Sequence, residues 1–150
     1  PDLWFIGHVS LAFCANGAFT MAFASAVLYL LLHKQIKAKR LGWLFERLPP
    51  LDELDFMTYR QVGFGFIALT LSILTGLVWN EITAGKLIQG DIKEVATFFI
   101  WLVYAHYFHS RFHRGMSGRK AAILVIVGFA LLLINFTLVT VFLSQTHKYI

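Results

Sequence analysis

Charge is what this sequence has least of: only 14% of its 150 residues are Asp, Glu, Lys or Arg, against 58% that are hydrophobic. Soluble domains carry about a quarter charged residues, so an ordinary soluble globular domain is excluded, and the mean hydropathy of +0.68 agrees. Cysteine is nearly absent as well. Cys14 alone rules out an intrachain disulfide and a Cys-rich metal site, and inside an apolar run it reads as small apolar packing. No Lys/Arg-rich arm accompanies the net charge of +5, which makes nucleic acid a poor partner. Internal repeats and low-complexity tracts are also missing. No Ser–His–Asp, Cys–His or paired-carboxylate constellation is visible, so no independent catalytic activity is expected.

Uncharged apolar sequence is what the chain has in abundance. Leu3 to His33, Gln61 to Asn80, Val95 to Ser110 and Ala121 to His147 contain no Asp, Glu, Lys or Arg. A hydrocarbon core about 30 Å thick takes roughly 20 helical residues. Backbone groups find no water there, so each run is expected to be helical. The third run is short, and spans if it tilts little and lets His106, His109 and His113 reach the interface. The sequence predicts an all-α, polytopic transmembrane helix bundle, one membrane domain over 1–150, with four spans at about 5–33, 57–80, 94–113 and 120–145. The stretch "RLGWLFERL", ended by Pro49-Pro50, reads as a short amphipathic helix on the membrane surface. The chain begins at Pro1, and its first run has neither a basic n-region nor a small-residue cleavage site, so a piece of something longer is expected.

Ten basic residues, Lys34, Lys37, Lys39, Arg40, Arg47, Arg60, Arg111, Arg114, Arg119 and Lys120, fall between the first and second or the third and fourth runs. Lys86, Lys93 and Lys148 fall on the other side. This asymmetry predicts a cytoplasmic 34–56 connection, an 81–93 loop on the periplasmic or extracytoplasmic side, and a multi-pass protein of the cytoplasmic membrane.

Orientation gives the histidines addresses. His8 opens the first helix and His147 closes the fourth, both at the outer face. His33 ends the first helix at the inner face. His106, His109 and His113 share one face of the third helix. Between Glu94 and His109 the helix rises about 22 Å at 1.5 Å per residue, which sets His109 in the inner half. Two imidazoles on different helices can fill both axial positions of a haem iron. Interfacial anchoring is the competing role, the expected one for His33 and His113. Asp91, Lys93 and Glu94 are expected to tether the loop and cap the third helix. Alternatively Lys93 or Lys86 pairs a haem propionate. Gly63, Gly65, Gly76 and Gly128 read as close helix contacts, and Tyr104 and Arg111 as interface anchors.

The order of motifs resembles the cytochrome c assembly family of haem-handling membrane proteins, of the CcsA/ResC type, with CcmC and HemX as more distant relatives. "GFIALTLSILTG" at 65–76 is similar to the family's Gly-Phe and L-T-x-G-I-x-T-G run. Trp79 follows, then Gly85, then Asp91-Ile92-Lys93-Glu94 in place of D-P-K-E. Trp101, Tyr104, His109 and Arg111 match W-L-x-Y-x-x-Y-L-H-x-R. His8 in "HVSLAF" and His147 in "SQTHKYI" resemble the histidines that open and close the flanking helices. The resemblance implies a non-covalently bound, b-type haem. His8, His147 and His109 would be its iron ligands, and Trp79, Asp91 and Lys93 its further contacts. It also implies a role presenting haem at the outer face for attachment to apocytochrome c, as a component of a haem lyase system, with a membrane partner subunit or further domain.

Departures from the pattern are specific. Ala84, Ile88 and Gly90 stand where the family's outer loop has tryptophans, and Ile92 replaces proline. Lost rings mean lost stacking area for a porphyrin, so weaker haem binding or a divergent, HemX-like branch is expected. A HemX-like membrane regulator of haem biosynthesis is therefore one alternative. A dihaem b-type electron carrier is another, using His8 with His147 and His33 with His106 or His109.

Overall fold

Every apolar run is helical in the computed structural model, which describes residues 2–146, with side chains through Val141. The described residues form five helices and no strand: α1 (Asp2–Lys37), α2 (Trp43–Arg47), α3 (Leu51–Ala84), α4 (Ile92–Arg114) and α5 (Arg119–Thr146).

Local chemistry sets the helix ends. In α1 an acid, Asp2, sits in the first turn and Lys34 and Lys37 in the last, complementing the helix dipole. The five residues of α2 expose Trp43 and Phe45, and Arg47 lies over the Trp43 ring at 5.4 Å. Pro50 precedes α3, whose first turn carries Asp52 and Glu53. Gly85 closes α3 in the left-handed region at φ 65°, a conformation side chains disfavour. Asp91 starts α4, its carboxylate accepting from the Ile92 N–H at 2.9 Å. Gly115 (φ 62°) turns the chain after α4, and the Met116 N–H returns to the Ser110 carbonyl at 3.1 Å.

Among the described residues, three helices are long and apolar enough to cross a membrane: Asp2–Lys37, Leu51–Ala84 and, within α5, Arg119–Val141. The protein is thus a multi-pass integral membrane protein. The 23 residues of α4 differ from the sequence expectation of a fourth span. They are long enough, about 34 Å at 1.5 Å per residue. However, the polar residues of "YAHYFHSRFHR" dilute the apolar character of its second half.

Packing follows an antiparallel ring in which α1 lies mainly against α3 and α5, and α4 bridges α5 and α3. The α1–α3 seam is close. Gly65 leaves room for Phe19, whose ring would be 2.8 Å from a Cβ at that position, and Ser25 donates to Gln61 Oε1 at 2.9 Å. Between α3 and α4 the seam is wider and aromatic. Phe66 stacks on Trp101 at 5.4 Å, and the Trp101 indole N–H donates to Thr70 Oγ1 at 2.9 Å. At the centre the fully buried rings of Phe19 and Tyr104 stack across the ring of helices. Tyr104 is thus a core residue where the sequence suggested an interface anchor. Gly128 on α5 backs Tyr104 as Gly65 backs Phe19. The glycines at 65, 76 and 128 therefore receive aromatic rings, Gly76 taking the imidazole of His8.

Candidate functional site

The start of α1, the end of α3 and the start of α4 share one end of the bundle. There the antiparallel pairing of α1 and α3 brings half-buried His8 against Ser72 and Gly76. His8 Nδ1 is 2.7 Å from the Ser72 carbonyl oxygen, and the Ser72 hydroxyl donates to the His8 carbonyl at 3.0 Å. A carbonyl oxygen only accepts, so Nδ1 is the donor of this bond, and Nε2 has no hydrogen-bond partner among the described residues. A Cβ at Gly76 would lie 2.9 Å from Nδ1, so only glycine admits the ring in this pose. One turn beyond, Trp79 packs on Phe5 with centroids 5.3 Å apart. An imidazole whose Nδ1–H is held by a backbone carbonyl is the usual arrangement of a metal-ligating histidine.

The adjoining loop is organised by Glu94. Its carboxylate accepts from Asn80 Nδ2 at 2.7 Å and from the Gln89 and Gly90 N–H groups, both at 3.0 Å. With the Asp91 carboxylate on the Ile92 N–H, both acids serve the loop and the helix start. Lys93 is half-buried at the first turn of α4, while Lys86, Ala84, Ile88 and Gly90 are exposed. His147 lies outside the described residues. Phe23 and Phe129 stack at 4.4 Å. From that level, about 22 Å back along α1 reaches His8 and about 26 Å forward along α5 reaches Thr146. The described end of α5 is therefore level with His8.

At the opposite end His109 is exposed on α4, its ring 4.7 Å from that of exposed His113. His106 is exposed too, with Nε2 3.4 Å from Ser110 Oγ, and His33 lies beside Tyr29 at 6.1 Å. No ring contact joins His33 to His106 or His109 among the described residues. Nor does any group of three or more His, Cys, Asp or Glu gather there.

Sequence reasoning missed two features. One is the Ser72–Gly76 cradle, signalled only by two small residues four apart in an apolar run. The other is the bidentate pair of Arg111 with Asp55, at 2.9 and 3.0 Å, with the guanidinium also 4.9 Å over the Tyr59 ring. An acid opening one helix and a base closing its antiparallel neighbour was the available signal.

The family model described as Cytochrome C assembly protein matches residues 1–147. This chain belongs to that family. It is similar to the cytochrome c biogenesis protein CcsA of Prochlorococcus marinus, 30% identical over 97% of this chain and 54% of the relative. It is similar also to protein HemX of Bacillus subtilis, 31% identical over 93% of this chain and 50% of that protein. Protein HemX of Brevibacillus brevis is 33% identical over 86% of this chain and 47% of the relative. The chain thus spans about half the length of these curated relatives. No solved structure matches it. Among these three relatives identity lies between 30% and 33%.

Proposed function

We propose that this member of the cytochrome c assembly family handles haem for cytochrome c biogenesis, holding it non-covalently at the His8 end of the bundle. The observation that carries the reading is the Nδ1–H bond from His8 to the Ser72 carbonyl at 2.7 Å, which holds the ring and leaves Nε2 without a partner among the described residues. His147, outside the described residues, would supply a second imidazole, Trp79 an apolar wall and Lys93 a cation for a propionate, with Asp91 holding the loop beside it. Haem bound there brings the reactive groups, and the chain contributes ligation and orientation. His109 is the ligand of a second, inner position. Its exposure on α4 fits a site completed by a partner subunit or further domain.

Four spans fit this reading. Contacts between α3 and α4 run from Asn80–Glu94 at one end to Asp55–Arg111 at the other. α4 runs alongside α3 between these two contacts, with its apolar half beside the apolar half of α3, which supports a fourth span. The basic residues at the Arg111 end support a cytoplasmic side there, with His8 outside. Apocytochrome c would receive the haem there.

The test is spectroscopic. Wild-type protein purified after expression with haem supplied should give a pyridine haemochrome and a six-coordinate low-spin spectrum. His8→Gly should lose that spectrum and regain it with added imidazole. Wild-type protein free of haem under these conditions would overturn the reading. A HemX-like regulator would then lead, favoured by the 31% identity to HemX over 93% of the chain and by Ala84, Ile88 and Gly90 in the loop.

A further inference from the structure

A groove of about 520 Å3 opens sideways between α1 and α3, on the outer side of this helix pair away from the Phe19–Tyr104 core. Its floor is Gly17, where a Cβ would meet nothing within 4 Å. Met21 and Phe64 wall it, both exposed, and Met57 continues it toward the end where α3 begins. Arg60 and Gln61 sit at that same end. The groove is apolar around Gly17, Met21 and Phe64 and polar at Arg60 and Gln61, nearer the start of α3.

Two features of the tip point to an anion. Arg60 has no carboxylate partner among the described residues. Its guanidinium lies 5.9 Å over the Phe56 ring, one turn nearer the start of α3, so the side chain reaches toward the bundle end that carries Lys34, Lys37 and Arg47. Gln61 Oε1 accepts from buried Ser25 Oγ at 2.9 Å, which turns the amide N–H donors away from Ser25. A guanidinium and an amide NH2 at the headgroup end of an apolar groove match a phosphate ester joined to an acyl chain.

We infer that this groove is a binding site for an anionic phospholipid, its phosphate on Arg60 and Gln61 and one acyl chain lying over Gly17 between Met21 and Phe64. The lining includes no histidine, unlike the His8 end, and the site is independent of the haem reading. A membrane-facing cation near the surface gives about a five-fold preference for anionic over zwitterionic lipid. The lipid would seal the α1–α3 seam where Gly17 leaves it thin.

The experiment is native mass spectrometry of the full chain purified in mild detergent, delipidated and titrated with phosphatidylglycerol or phosphatidylcholine. Wild type should retain phosphatidylglycerol about five-fold more than phosphatidylcholine. Arg60→Gln should bring the two near parity, and Arg60→Lys should keep the preference. Gly17→Leu, which fills open space, should reduce retention of both lipids with an unchanged far-UV CD spectrum. Parity in wild type, or an Arg60→Gln protein indistinguishable from it, would overturn the assignment. Loss of copurified haem in Gly17→Leu with lipid retention intact would give the groove to haem instead.

Discussion

Phe19 and Tyr104 stack with ring centroids 4.0 Å apart and 6° between their planes, although α1 and α4 are not neighbours in the ring of helices. Gly65 on α3 and Gly128 on α5 close the stack from either side, so all four long helices meet at one point. In a membrane the hydrophobic effect adds little between helices, and close packing of this kind carries the association.

Gly128→Ala should therefore be costly. The new Cβ would lie 2.8 Å from Tyr104 Cζ, a rigid ring already pressed on Phe19. Overpacking of this sort costs about 1–3 kcal/mol. Thermal unfolding in detergent should show a clear fall in Tm for Gly128→Ala and none for Gly17→Ala, whose added methyl meets nothing. Equal Tm values for the two variants would contradict the role of the stack.

Asp55 and Arg111 tie the start of α3 to the end of α4, with side chains only 17% and 16% exposed. Removing either leaves a half-buried charge without its partner, at about 1.5–3 kcal/mol. Asp55→Asn and Arg111→Gln should each lower stability to denaturation. Together they should cost less than the sum of the two, because the second change removes the charge that the first strands. Strict additivity would mean the pair contributes no coupling.

Gly76→Ala tests the His8 cradle without touching a ligand. A methyl 2.9 Å from Nδ1 forces the ring off the Ser72 carbonyl. Copurified haem should fall several-fold while helicity is kept, and imidazole should rescue it less well than in His8→Gly, because the displaced ring still occupies the space. Haem content equal to wild type would separate His8 orientation from haem binding.

Topology can be read from cysteines at Leu87, exposed in the loop after α3, and at Ser117, exposed in the turn after α4. Both positions avoid the left-handed glycines Gly85 and Gly118. In a Cys14→Ala background, Leu87→Cys should react with an impermeant thiol reagent added outside intact cells, and Ser117→Cys only after permeabilisation. Reaction of both from outside would mean that α4 does not cross.

Helix class and approximate position were legible in the sequence because both depend on local composition: runs without charge must be helical in lipid, and glycine or proline ends them. The acids at the end of the loop and in the first turn of α4 were legible too, as the geometry of Asp91 and Glu94 bears out. The face that each helix turns inward was not. In a soluble helix the apolar stripe marks the buried side, but lipid is as apolar as the bundle interior, so the runs of α1, α3 and α5 are greasy all round and carry no such mark. His109 could be assigned a depth by counting residues, yet only packing turned it outward on α4 while Tyr104, Tyr107 and Arg111 faced in. His8 could be assigned an end of the bundle. The acceptor for its Nδ1 and the cradle for its ring came from α3, 64 residues away, through a backbone carbonyl that no side-chain pattern encodes.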